Sequence, residues 1–87
     1  MDQENKLSRA VVYVKLKDGV LDPQGSTIQR ALGNMGYQGI KDVRSGKVFE
    51  ITFQQGQGKK PEELVEEICR KLLTNPVIEK YNFEILK

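Results

Sequence analysis

The apolar residues of this chain switch between a period of two and a period near 3.6 in an order that few topologies accept. RAVVYVKLK (9–17) alternates: Ala10, Val12, Val14 and Leu16 fall on one side, and Val11, Tyr13, Lys15 and Lys17 on the other. That pattern predicts a strand with one buried and one mixed face. Asp18-Gly19 breaks it. Asp22 then suits an N-cap and Pro23 the first helical position, where a missing N–H costs nothing. Ile28, Ala31, Leu32 and Met35 follow at helical spacing, and Gly36 is the expected left-handed stop. Gly25 is the anomaly, because a glycine in the first turn weakens a helix by about 1 kcal/mol relative to alanine.

IKDVR (40–44) and KVFEITF (47–53) read as two strands joined by a short hairpin at Ser45-Gly46. QQGQGKK (54–60) reads as a flexible loop. Pro61 opens a second helix with Leu64, Val65, Ile68, Cys69 and Leu72 facing inward; Glu62 and Glu63 sit at its positive end, Arg70 and Lys71 near its negative end. Asn75-Pro76 ends it, and EKYNFEIL (79–86) is a last strand. The expected fold is therefore α+β, a ferredoxin-like βαββαβ arrangement with an antiparallel sheet and both helices on one face. The other sheet face is left uncovered. Some of Val11, Tyr13, Phe49, Ile51, Phe53, Tyr81 and Phe83 are expected on it, and such a patch predicts self-association.

Composition narrows the functions. At 87 residues the chain is expected to be one domain, 1–87, with a polar lead-in over 1–8. A net charge of +2 is too small to imply nucleic acid or an acidic membrane, and no apolar run spans a bilayer. The polar, acid-bearing start MDQENKLSR does not read as a targeting peptide, and the single Cys69 cannot form an internal disulfide. A reducing cytoplasm is the expected compartment.

Catalytic signals are missing. There is no histidine, and Cys69 on an apolar helix face reads as a buried structural thiol. Glu62, Glu63, Glu66 and Glu67 read as a solvated face. GQGKK (56–60) lacks the frame of a phosphate loop. No catalytic, cofactor-binding or metal-binding residue is predicted. The same topology hosts RNA-binding modules, and Phe49 and Phe53 lie on the strand where their stacking aromatics would sit. The RNA-binding sequence pattern is absent, however, and Glu50 interrupts the strand.

A resemblance goes further than these patterns. Lys17-x-Gly19-Val20-Leu21-Asp22-Pro23-Gln24-Gly25, Ala31-Leu32, Gly36-Tyr37-x-Gly39, Asp42-Val43-Arg44-x-Gly46-Lys47 and Glu50 follow one another in order. Leu72-Leu73-x-Asn75-Pro76-Val77-Ile78-Glu79-x-Tyr81 closes the set. Together they resemble the PurS family, the small subunit of phosphoribosylformylglycinamidine synthase, from about Arg9 to Ile85. The basic, glycine-rich loop 54–60 and the added polar start depart from the family pattern.

The resemblance implies a non-catalytic part of a three-component ligase in purine biosynthesis. A large subunit would bind ATP and Mg and phosphorylate the amide oxygen of formylglycinamide ribonucleotide. A glutaminase subunit would release ammonia, which displaces the phosphate. The small subunit, a homodimer or higher homo-oligomer, would bridge the two and support ammonia transfer, binding no cofactor, nucleic acid or membrane itself. Asp22, Pro23, Gln24, Gly25, Arg44, Gly46 and Lys47 are the expected partner or dimer contacts. Gly25 would permit close approach of another backbone. The competing reading is an RNA-binding module of the same topology.

Overall fold

A computed structural model of the chain describes residues 7–56 and 58–86. Three strands, β1 (Leu7–Leu16), β2 (Gly46–Gln54) and β3 (Glu79–Leu86), form one antiparallel sheet in the order β2-β1-β3. Helix α1 (Pro23–Asn34) links β1 to β2. Helix α2 (Pro61–Ile68), continued by a π-helical turn over Cys69–Leu73, links β2 to β3. The fold is α+β, but it departs from the expected plan in several places.

The strand expected over 40–44 does not form; residues 37–45 have no regular secondary structure. The β1–β2 ladder ends at Lys15 opposite Gly46. Just beyond, β1 turns away: Val20 N–H donates to the Lys17 carbonyl at 3.1 Å and Gly19 takes φ +87°. Residues 40–44 thus have no strand to pair with along the β1 side. Gly46 begins β2 rather than turning a hairpin. It is glycine because a Cβ would lie 2.8 Å from the Val14 carbonyl oxygen. Of the lead-in expected over 1–8, residues 1–6 lie outside the described residues, and Leu7 and Ser8 belong to β1, with Ser8 buried.

Residues directly opposite across a ladder share a sheet face. Phe49 and Phe83 stand opposite Val12, Ile51 and Ile85 opposite Ala10, Phe53 opposite Ser8, and Tyr81 opposite Val14. All therefore belong to the face that α2 covers, where Ala10, Val12, Val14, Val65 and Cys69 form the buried core. Of the seven residues considered for the open face, only Val11 and Tyr13 lie there. The Tyr81 hydroxyl donates to Glu66, tying β3 to α2. Its pKa is pushed up to about 12, chiefly because deprotonation would set a phenolate against the hydrogen-bonded carboxylate.

The π-helical turn changes which leucine faces the core. Thr74 N–H donates to the carbonyl of Cys69, five residues back, at 3.1 Å. The wider turn rotates the following residues, so Leu73 packs against the core while Leu72 is 79% exposed, contrary to the helical spacing. Leu73→Ala is expected to cost about 2 kcal/mol and Leu72→Ala less than about 0.5, measured by urea unfolding.

Helix α1 does not join α2 on the sheet. Its only buried residue is Gly25. Ile28 and Met35, assigned to its inward face, are 40% and 69% exposed. The chain measures 56 × 29 × 15 Å with a radius of gyration of 17.6 Å, against about 12 Å for a compact chain of this length. The expectation of two helices on one sheet face is corrected accordingly. Two helices do not shield one small sheet here, and Phe49, Ile51 and Phe53 on β2 remain only half-buried.

Candidate partner interface

The start of α1 and the start of β2 are clasped by one carboxylate. Asp22 caps the helix, its Oδ1 accepting from Gly25 N–H at 2.9 Å. The same side chain accepts from Ser45 N–H at 2.5 Å and from the Ser45 hydroxyl at 2.9 Å. Asp22 is buried, so these donors replace water. They hold its carboxyl below the ordinary value of 3.8, with the Gly25 N–H the largest cause, the Ser45 N–H next, and the Arg44 charge the least.

Gly25 has a specific reason to be there. A Cβ at this position would lie 2.1 Å from the Val43 carbonyl oxygen and 2.9 Å from Asp22 Oδ2. The close backbone approach anticipated at Gly25 is thus made within the chain, by residue 43. Gln29 adds a second tie, its Nε2 donating to the carbonyls of Ile40 at 3.3 Å and Lys41 at 3.0 Å. These bonds occupy the segment that was expected to be a strand. Met35 ends the helix, with Tyr37 N–H donating to the Leu32 carbonyl at 3.0 Å and Gly36 at φ +95°, as a left-handed stop requires.

The seven residues singled out from the sequence do meet at one end of the molecule. Gln24, Gly46 and Lys47 line a shallow cleft of about 230 Å³. Lys47 forms an ion pair with Glu79 at 3.6 Å, and Arg44 donates to the Lys17 carbonyl at 3.2 Å. Asp22 and Gly25 are buried and hold this end together from inside, while Pro23 opens the helix as an exposed residue. Gln24, Arg44 and Lys47 present exposed side chains. Sequence reasoning missed Ser45 and Gln29, whose bonds span 23 and 11 residues or more; no local signal announces partners that distant.

Elsewhere, Glu67 accepts from Lys59 and, at 2.6 Å, from Lys71. Those bonds, the Lys59 one first, lower it to about 2. Burial pushes the Cys69 thiol up, and the Glu66 charge adds to it. Among the described residues no cluster of His, Cys, Asp or Glu could hold a metal ion, and no helix is long and apolar enough to cross a membrane. Phe49 and Phe53 face α2, which removes the base-stacking platform that an RNA-binding reading needs.

The clasp makes stability depend on pH. The folded pKa of Asp22 lies below the ordinary 3.8, so its contribution is complete above that value and is lost as pH falls through the folded value. Asp22→Asn keeps a capping side chain without the charge. It is expected to unfold at lower urea near neutrality, while the gap to the parent chain narrows in acid. Unfolding curves at several pH values between about 6 and 2 measure this, with Glu67→Gln separating the contribution of the second carboxylate.

Comparison with known proteins places this geometry in a wider set. The profile of the PurS family, described as phosphoribosylformylglycinamidine (FGAM) synthase, matches residues 9–87. The phosphoribosylformylglycinamidine synthase subunit PurS of Methanocaldococcus jannaschii is 46% identical over 79 residues, covering 91% of this chain and 95% of that protein. The structure of Bacillus subtilis PurS superposes with a TM-score of 0.83 at 46% identity, covering 92% of this chain and 99% of that one. A chain in the structure of PurLQS from Thermotoga maritima is similar at 32% identity with a TM-score of 0.81, covering 93% and 99%.

Proposed function

This chain belongs to the PurS family, and from that membership we propose that it bridges the synthetase and glutaminase subunits of phosphoribosylformylglycinamidine synthase and supports the passage of ammonia between them. The PurS subunit is part of a glutamine-dependent, ATP-using ligase of purine biosynthesis, and this chain works there without catalytic residues of its own. The observation that carries this reading is the likeness over nearly the whole chain to a component of the PurLQS assembly. ATP and Mg belong to the large subunit, and the compartment is the cytoplasm.

The working unit is a homodimer. Each copy exposes Ile28 and Met35 on α1 and leaves Phe49, Ile51 and Phe53 of β2 half-covered. Two incompletely covered apolar surfaces on one chain that cannot reach each other are satisfied when two copies exchange them about a two-fold axis. Gln24, Arg44 and Lys47 at the clasped end are the contacts offered to the larger subunits. Arg44→Glu is expected to leave folding intact, since the side chain is exposed and makes one bond to a carbonyl. It should weaken the three-part complex roughly tenfold, as read by sizing chromatography of the mixed subunits.

The decisive experiment reconstitutes the matching large and glutaminase subunits with and without this chain. Product is assayed with glutamine and, separately, with free ammonia. Glutamine-driven synthesis should require the chain and ammonia-driven synthesis should not. If omission changes neither, the bridging role is wrong.

A further inference from the structure

We propose that the cleft between α1 and the 37–40 segment binds a small organic phosphate carrying a flat ring, the phosphate on Arg30 and the ring on Tyr37. The cleft measures about 520 Å³, more than twice the hollow at the clasped end. That lies within the range of about 300–1,000 Å³ usual for small-molecule sites. One wall is α1, through Ser26, Gln29, Arg30 and Gly33; the other begins with Tyr37 and Gln38, just past the helix stop.

The two walls are fixed relative to each other. Tyr37 N–H donates to the Leu32 carbonyl at one end, and Gln29 donates to the carbonyls of Ile40 and Lys41 at the other. Gly33 leaves room on the α1 wall, since nothing lies within 4 Å of the place a Cβ would take. The wall also faces away from the apolar stripe of the helix. Ser26, Gln29, Arg30 and Gly33 recur at i, i+3, i+4 and i+7, and so do Ile28, Ala31, Leu32 and Met35. The second set starts two residues after the first, about 200° further round the helix, so the two faces point nearly opposite ways. Covering the stripe therefore leaves the cleft accessible.

The polar groups of the cleft select the ligand. Arg30 is the one charged residue on the lining, and no carboxylate there neutralises it. It makes no ion pair and no hydrogen bond among the described residues. Its guanidinium brings five N–H donors in a fork, and the Ser26 hydroxyl and Gln38 amide add more. Gln29 has spent its N–H groups on two carbonyls. A negative group with several acceptor oxygens answers this excess of donors, and a phosphate monoester is such a group. A carboxylate would satisfy the fork of Arg30 but leave the other donors to water.

Tyr37 supplies the second half of the site. It is 57% exposed and takes no part in the core, so a face of its ring is free to stack on a flat ring. No histidine, carboxylate or thiol stands on the lining beside Ser26, so the ligand is held rather than converted. The site does not depend on the bridging role proposed above.

Amide NMR spectra of the full chain test this by titration with adenosine monophosphate, ribose phosphate and inorganic phosphate. Adenosine monophosphate should saturably shift the amides of 26–33 and 37–40, with a Kd on the order of 0.1–1 mM for so open a site. Arg30→Gln should weaken all three ligands roughly tenfold, and Arg30→Lys should recover part of the loss, because the charge returns without the fork. Tyr37→Ala should weaken adenosine monophosphate roughly tenfold and leave the two ringless phosphates unchanged. Both side chains are exposed and unbonded, so circular dichroism of the variants should match the parent chain. No saturable shift in the millimolar range, shifts confined to Lys15 and Lys80, or equal affinity after Arg30→Gln would each overturn the proposal. Arg30→Gln that loosens the three-part complex without changing phosphate binding would overturn it too, and would give the cleft to a partner's carboxylate. The titration needs neither larger subunit, so its outcome is separate from that of the reconstitution.

Discussion

Gly25→Ala is expected to destabilise the chain by about 1–3 kcal/mol, against the usual sign of a glycine-to-alanine change inside a helix. In an open first turn, alanine would add about 1 kcal/mol of helix stability. Here the new methyl would lie 2.1 Å from the Val43 carbonyl oxygen and 2.9 Å from Asp22 Oδ2. Neither neighbour can yield cheaply. The carbonyl is backbone, and the carboxylate is held by Gly25 and Ser45. Relief requires the 37–45 segment to move off the helix, which would pull Ser45 from Asp22. Urea unfolding measures the loss. Gly33→Ala is the matched control, because nothing lies within 4 Å of a Cβ there and the same substitution should stabilise. If both changes stabilise, the close approach at residue 43 is not maintained in solution.

The second large effect concerns assembly rather than folding. Met35→Asp and Ile28→Asp place a charge on side chains already 69% and 40% exposed in the isolated chain. A monomer should therefore fold nearly as well as the parent. In the homodimer proposed above, the same charges would have to be buried without a partner, at a cost of several kcal/mol. The dimer is expected to dissociate by at least about a hundredfold, a change of some 2.7 kcal/mol. Analytical ultracentrifugation reads the mass and circular dichroism the retained fold. Glutamine-driven synthesis in the reconstituted complex should fall with the dimer. An intact dimer carrying both aspartates would place the interface elsewhere on the molecule.

Both predictions rest on α1, the element whose start was easiest to read and whose position was hardest. Asp22 as cap, Pro23 at the first turn and Gly36 as stop depend on atoms within three or four residues, and each is where the sequence indicated. The same holds for β1, β2 and β3, whose alternation names the residues that share a face. Family membership was legible too, because it rests on ordered residues along the chain rather than on their placement.

What only the tertiary structure decided is where those elements go. Alternation says that Phe49, Ile51 and Phe53 lie together, but the pairing of Phe49 with Val12 and the cover supplied by α2 determine which face they share. IKDVR has the composition of a strand, yet its carbonyls and the neighbouring N–H are taken by Gln29 and Asp22, and β1 has turned away before reaching it. Leu73 rather than Leu72 packs inward because one wide turn breaks the 3.6 period. Helix α1 has the apolar stripe of a core helix but no core beneath it in its own chain. A local pattern records that a surface should be covered. It holds no information about which element, or which copy of the chain, does the covering, because that depends on contacts between residues far apart in sequence.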